Sequence, residues 1–279
     1  MTSIAQALRH ASERLHASDT PRLDAEVLLM HVLDKPRSHL HAWPEASLDT
    51  EQLTRFDMLI TQRVAGQPVA YLTGHREFWS LELNVTAHTL IPRPETELLV
   101  EQALLRLPAD RSLRILDAGT GSGAIALALA HERPRWQVYA NDRSPACLEV
   151  ARHNAVRLGL TNVHFFTGGW CRAVADQSLD ALISNPPYIP EQDHHLSEGD
   201  VRFEPRRALT AGVDGLDDLK QLAATASRVL RPGGHILLEH GFDQAKNVIS
   251  LFINNGLIDA GSARDLAGHE RVSHARNPG

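Results

Sequence analysis

The sequence predicts an α/β fold: a doubly wound, mostly parallel sheet preceded by a small N-terminal helical domain and a β-hairpin connector. Two observations predict it. Up to about residue 66 the apolar residues recur at helical spacing, whereas from residue 113 short apolar runs alternate with helical stretches, as in successive βαβ units. A chain of 279 residues also exceeds one typical domain, which fits a large α/β domain with a smaller companion.

Three helices are expected at the start, carried by Ile4-Ala5-Leu8, by Leu23-Val27-Leu28 and by Leu53-Phe56-Leu59-Ile60. In the connector, Phe78, Leu81, Leu83 and Val85 mark two short strands around Trp79-Ser80, a hairpin. It ends at Ile91-Pro92-Arg93-Pro94. Pro94 suits the first turn of a helix, Glu95 and Glu97 stand where the N-terminal dipole favours negative charge, and Leu98, Leu99, Ala103 and Leu104 turn inward. The expected boundaries are therefore 1–74 for the helical domain, 75–93 for the connector and 94–279 for the α/β domain. Five strands are expected at 113–116, 137–140, 163–166, 179–183 and 235–238, with Leu257-Ile258 and Val272 in the last strands of the tail. The stretch 190–214 is polar, proline-containing and aperiodic, so it reads as a long loop over the ligand edge of the sheet.

With 28 Lys+Arg against 34 Asp+Glu and a net charge of -6, the chain lacks the basic footprint of a nucleic-acid binder, and a protein partner fits better. Cys147 and Cys171, the only cysteines, are too few for a disulfide framework or a cysteine-rich metal site and suit a reducing compartment. The N-terminus has no apolar run of signal-peptide length, and no stretch approaches the roughly 20 residues that span a membrane. A cytoplasmic location is expected. His194-His195 lie beside Asp193 and Glu191, but adjacent side chains seldom converge on one ion, so a solvated loop and no metal site are expected.

The chemistry begins where strand 113–116 runs into Asp117-Ala118-Gly119-Thr120-Gly121-Ser122-Gly123 and then into the apolar helix at 124–130. Glycines at 119, 121 and 123 let the backbone turn tightly and approach a ligand. Gly119, Gly121 and Ala124 also satisfy the looser dinucleotide fingerprint, and Asp142 stands near the distance of a ribose-binding acid, so a nicotinamide cofactor has to be weighed. Asp142 follows the second strand and precedes Ser144-Pro145, a helix start with a capping hydroxyl; Trp170 follows the third strand, where an aromatic ring can line an adenine pocket. The fourth strand ends in Asn185-Pro186-Pro187-Tyr188. Gly119, Asp142, Trp170 and Asn185 thus all fall just past the carboxyl ends of successive strands, the edge where open α/β sheets bind ligands.

The tetrapeptide decides the chemistry. An amide or aromatic-amine nitrogen is a poor nucleophile because its lone pair is delocalised. If the Asn185 side-chain oxygen and the Pro186 carbonyl accept its two N–H bonds, density returns to the nitrogen and the lone pair is aimed. Pro187 biases residue 186 toward extended backbone, the prolines leave the hydrogen-bond ladder, and Tyr188 can lie flat against the planar group. A hydride-transfer site has no use for such a motif. The Gly-x-Gly-x-Gly spacing after Asp117 resembles the cofactor loop of class I methyltransferases, which implies S-adenosyl-L-methionine as cofactor and a class I methyltransferase-type sheet.

The likeness extends nearly end to end. Arg22-Leu23-Asp24-Ala25-Glu26, Gly66-Gln67-Pro68-Val69-Ala70-Tyr71-Leu72-Thr73-Gly74, Ile91-Pro92-Arg93-Pro94-Glu95-Thr96-Glu97, Phe203-Glu204-Pro205, Asp214-Gly215-Leu216 and Leu238-Glu239-His240-Gly241 carry it. The chain resembles the bacterial glutamine-N5 methyltransferases of class-1 peptide chain release factors, which modify the glutamine of a Gly-Gly-Gln tripeptide. The resemblance implies that Asp117, Gly119, Thr120, Gly121, Ser122, Gly123, Asp142, Trp170 and Asn185 bind the cofactor. It implies that Asn185, Pro186, Pro187 and Tyr188 hold the glutamine, with Asn185, Pro186 and Tyr188 catalytic. One departure is Gly169, at a place where relatives carry an acid before the tryptophan. Rival readings are a glutamine methyltransferase of a large-subunit ribosomal protein, an amino methyltransferase of nucleic-acid bases, and a cofactor-binding translation factor without catalysis.

Overall fold

The protein, described over residues 2–279 by a computed structural model, divides into two compact units. One comprises the residues up to His75 together with Ser197–Phe203; the other comprises Arg76–Leu196 and Glu204–Gly279.

The helical unit holds α1 (Ile4–Arg14), α2 (Pro21–Leu33), α3 (Arg37–Ala42), α4 (Thr50–Val64) and α5 (Val69–Thr73). The sequence predicts three of these. The other two, α3 and α5, have 6 and 5 residues, too few turns to display a helical period. Ser3 with Gln6 and Asp49 with Gln52 close capping boxes that start α1 and α4, and Pro21 occupies the first turn of α2. Leu8, Leu28, Leu29, Phe56 and Ile60 meet in the core of this unit. Two acids are buried with them. Glu26, 1 % exposed, accepts from Arg22 at 2.7 Å and from Arg37 at 2.8 Å. Burial pushes its carboxyl up, but the hydrogen bonds and charges of the two arginines outweigh that and hold it below the ordinary glutamate value. Arg63 of α4 bonds Asp24 at 2.7 Å and Asp200 at 2.6 Å, which joins segment 197–203 to the helices.

The α/β unit includes a hairpin of β1 (His75–Phe78) and β2 (Leu81–Asn84). Trp79 and Ser80 at its turn both have positive φ, 54° and 58°, the mirror-image turn whose twist matches that of the strands. After one 3-10 turn at Pro94–Thr96 follow α6 (Glu97–Arg106), β3 (Arg114–Ala118), α7 (Ala124–Glu132), β4 (Gln137–Asp142), α8 (Pro145–Arg157), β5 (Val163–Thr167) and β6 (Leu179–Ser184). Then come α9 (Asp217–Val229), β7 (Leu230–Glu239), α10 (Ala245–Asn254), β8 (Ile258–Arg264) and β9 (Glu270–Arg276). The helix expected from Pro94 thus begins as a 3-10 turn and becomes α-helical at Glu97, and the strand expected at 235–238 starts already at Leu230.

Seven strands form one sheet in the order β5-β4-β3-β6-β7-β9-β8, parallel from β5 to β7, with β9 antiparallel to both β7 and β8. Alternate side chains feed two cores. Ile115, Val138, Ile183 and Leu237 join residues of α6 and α7 on one face, while Leu116, Leu182, Ile236 and Leu238 join α9 and α10 on the other. With both faces covered, the strands read as unbroken apolar runs, the signal that gave them away in the sequence. The chain winds outward from β3 to β5 and then returns to begin β6 beside β3, so the carboxyl ends of β3 and β6 flank the point where strand order reverses. Between residues 190 and 214 the loop contains short 3-10 turns at His194–Ser197, Asp200–Phe203 and Arg206–Ala208, and Ile189 bridges to Thr210. Among the described residues no helix is long and apolar enough to cross a membrane.

Candidate active site

At this reversal a cavity of about 360 Å³ opens. Gly119, Thr120, Gly121, Ser122, Asp142, Trp170, Asn185 and Pro187 line it; Asp117, Gly123, Pro186 and Tyr188 stand behind that lining.

On the β3 side the geometry is built by neighbours in sequence. Asp117, next to last in β3, is fully buried, and its Oδ2 accepts from the Thr120 hydroxyl at 2.6 Å and from the Ala126 amide at 3.1 Å, the latter in the first turn of α7. Its Oδ1 is buried with no hydrogen-bond partner in the protein. Burial raises the Asp117 pKa to about 7, with the Thr120 and Ala126 bonds opposing and the Asp142 charge adding to the rise. A buried acceptor left without a partner behind the wall of a cavity is matched by a cationic group such as an amino acid's ammonium. Gly119 has φ 77°, and a Cβ there would come 2.9 Å from the Trp170 ring, so a side chain would displace that ring from the cavity wall.

Asp142, at the end of β4, accepts from the Gly121 amide at 3.1 Å and the Ser144 amide at 2.8 Å. It therefore ties the glycine loop to the start of α8, which the Ser144 hydroxyl caps. Trp170 is held in a left-handed backbone conformation, its carbonyl accepting from Asn141 at 2.6 Å and its indole N–H donating to Asp218 at 3.0 Å. A Cβ at Gly169 would meet nothing within 4 Å, and Gln221 of α9 lines the same cavity.

On the β6 side the supports come from far along the chain. Ser184 donates to the Ala118 carbonyl at 2.6 Å, locking the end of β6 to the end of β3. The Asn185 Nδ2 donates to the Thr96 hydroxyl at 3.0 Å. Tyr188 donates to Glu239 Oε1 at 3.3 Å, and its own carbonyl accepts from Gln244 at 3.0 Å. Gly215, φ 70°, packs so closely that a Cβ would sit 2.3 Å from that carbonyl. Glu204, 4 % exposed, accepts from the Ile91 amide at 3.0 Å and from the Arg93 guanidinium, holding the 91–93 segment whose Pro92 and Arg93 line the cavity. Sequence reasoning gave no role to Thr96, Gly215 or Glu239. The one signal available was that Glu239, like Asp117, is an acid at the carboxyl end of an apolar strand.

Asp193, His194 and His195 lie on the loop with possible ligand atoms within 4.8 Å of one another, and Asp193 Oδ1 is already bonded by the His195 amide at 2.9 Å and ring at 2.7 Å. Both cysteines are free and buried, and burial pushes each thiol up from its ordinary value.

A doubly wound sheet with a glycine loop after its first strand, an acid after the second and Asn-Pro-Pro-Tyr after the fourth defines a class I methyltransferase that takes its methyl group from S-adenosylmethionine. Residues 109–257 match the family model described as a methyltransferase domain, and residues 6–74 match that of the PrmC N-terminal domain. The chain is 47 % identical to a release factor glutamine methyltransferase of Coxiella burnetii, with 99 % of each covered. It is 50 % identical to one of Salmonella typhimurium over 96 % of this chain and 97 % of the relative. A methyltransferase crystal structure from Pyrococcus furiosus shares the fold alone, at TM-score 0.54 and 20 % identity over 78 % of this chain and 97 % of that one. The chain belongs to the family of release factor glutamine methyltransferases.

Proposed function

We propose that this enzyme methylates the side-chain amide nitrogen of the glutamine in the Gly-Gly-Gln tripeptide of class-1 peptide chain release factors, in the cytoplasm, in support of translation termination. One observation carries the chemical part. Asn185 spends its amide N–H on Thr96 at the cavity wall, so its Oδ1 is the atom left to accept a hydrogen bond from an incoming NH2 group.

The residues present fit the cofactor. Asp117 offers its orphaned oxygen to the ammonium, and Gly119, Thr120, Gly121, Ser122 and Gly123 allow close backbone approach. Asp142 offers acceptors to the ribose hydroxyls, and Trp170 borders the adenine. S-adenosylmethionine, when bound, supplies an electrophilic methyl group. The chain's own part is to prepare the nitrogen. Asn185 Oδ1 and the Pro186 carbonyl accept the two amide N–H bonds, Pro187 and Tyr188 bound the planar group, and orientation replaces strong base catalysis. Such positioning is worth as much as ~7–11 kcal/mol in well-aligned systems. The proton departs to water once the nitrogen has been methylated and made acidic. The net charge of -6 disfavours a nucleic-acid acceptor.

Purified enzyme with labelled cofactor is expected to label a class-1 release factor, and to leave unlabelled a release factor whose tripeptide glutamine is changed to alanine. Label that persists after that change overturns the substrate assignment.

A further inference from the structure

Glu239, at the carboxyl end of β7, is 1 % exposed and lines no part of the cavity, yet it bonds one end of the Asn185–Tyr188 tetrapeptide and stands by the hydroxyl that bonds the other. Its Oε1 accepts from the Tyr188 hydroxyl at 3.3 Å. Its Oε2 is buried without a direct partner, and the nearby hydroxyl that stabilises the charged carboxylate is that of Thr96, the group that also accepts from Asn185 at 3.0 Å. A buried carboxyl oxygen so poorly satisfied opposes the stability of the fold. Such a group calls for a reason in function.

Hydrogen-bond direction supplies the reason. A carboxylate can only accept. Thr96 already accepts from Asn185, so its single proton is the one free to turn toward the open carboxylate oxygen, and the Glu239 charge favours that arrangement. Asn185 must therefore turn its NH2 to Thr96 and its Oδ1 to the acceptor pocket. We propose that Glu239 is the positioning residue that sets this polarity: through Thr96 it fixes the flip state of the Asn185 amide, and through Tyr188 it fixes the other end of the tetrapeptide. The inference rests on the reading of Asn185 Oδ1 as acceptor for the substrate amide. In the Glu239→Gln variant the introduced NH2 can donate to Thr96, whose proton then turns to Asn185 and flips the amide, presenting N–H to N–H in the pocket.

The other groups around Glu239 are Tyr188 after β6, Glu95 before α6 and Arg271 on β9; burial raises the Glu239 pKa to about 7 against the opposing effects of Thr96, Tyr188 and Arg271. Protonation should therefore have the same effect as the Gln substitution, which gives a readout that a purely structural role would not move.

The experiment measures kcat, KM for the release factor and cofactor Kd from pH 5.5 to 9 in wild type, Glu239→Gln, Thr96→Val, Thr96→Ser and Asn185→Ala. Expected are a loss of about 100-fold in kcat for Glu239→Gln and Thr96→Val, the scale of a misplaced reacting group, with cofactor Kd within about twofold of wild type. Thr96→Ser, which keeps the hydroxyl, should stay within about threefold, and the double variant Glu239→Gln/Thr96→Val should fall no further than either single one. The wild-type kcat should rise with pH through an acid limb near 7 that is absent from Glu239→Gln. Should Glu239→Gln fail to fold, the Thr96 pair decides. Wild-type kcat in Thr96→Val together with an inactive Asn185→Ala overturns the relay and leaves the Asn185 reading standing; full activity in Asn185→Ala overturns that reading itself.

Discussion

Two buried carboxylates flank the acceptor strand β6, Asp117 at the end of β3 and Glu239 at the end of β7, and burial raises both to about 7. They differ in who holds them. Asp117 is bound by Thr120 and Ala126, 3 and 9 positions further on, so the loop that it organises also organises it. Glu239 depends on Tyr188, 51 positions away, and on Thr96, which in turn meets Asn185 across 89 positions. The glycine-loop side, where we place the cofactor, is thus a local device that forms with its own strand–loop–helix, whereas the Asn185 side, where we place the acceptor amide, exists only when four distant segments have assembled. One side should respond to mutation in cofactor affinity, the other in turnover and in the stability of the assembled sheet edge.

The largest effect should fall on the assembled side. Gly215→Ala puts a Cβ 2.3 Å from the Tyr188 carbonyl at φ 70°, and denaturant unfolding should show a loss of about 3 kcal/mol. A wild-type midpoint in that variant would mean that this contact yields freely. Next, Asp117→Asn keeps the acceptor for Thr120 and Ala126 but removes the charge. Calorimetry should show cofactor binding weakened about 30-fold, near 2 kcal/mol, with kcat at saturation changed far less. If turnover fell and affinity held, the division between the two sides would be broken.

The third prediction concerns pH. The Glu239 pKa is raised above the 4.5 of an ordinary glutamate, so its folded state holds a proton that the unfolded state has released between 4.5 and about 7. Its stabilising contribution is complete below 4.5 and is lost as pH rises through 7. Relative to Glu239→Gln, wild type should lose roughly 2–3 kcal/mol of stability between pH 5 and pH 8 in matched urea titrations. A constant gap across that range removes the buried charge from the account. The smallest effect belongs to the local side. Ser144→Ala deletes the cap of α8 and should cost about 1 kcal/mol in thermal unfolding while leaving the kcat pH profile untouched.

The same contrast explains what could be read from the sequence. The five parallel strands, the glycine loop and the placement of Asp142 and Asn185 rest on alternation, spacing and punctuation within a few residues, and these signals are printed in the chain. Residues 197–203 grouping with the helical unit rests on single pairings such as Arg63 with Asp200, 137 positions apart, which no local pattern encodes. Thr96 carries no role in the sequence for the same reason, beyond its place between the acids of a helix start. Its second identity, as a hydroxyl between Asn185 and Glu239, appears only when β3, β6 and β7 lie side by side. Helices α3 and α5 escaped because periodicity needs more turns than they possess.

The insertion of β9 between β7 and β8 carries a consequence for biosynthesis. As the polypeptide leaves the ribosome, β7 emerges with one edge unpaired, α10 and β8 follow, and neither can close that edge until β9 threads into the gap. During that interval the β7 edge is open to mispairing. His240 awaits its partner Ser273, 33 positions later, and Glu239 has not yet met the charge of Arg271. A nascent enzyme of this kind can finish its glycine loop early, but the surroundings of Tyr188 and Glu239 mature only with the arrival of β9.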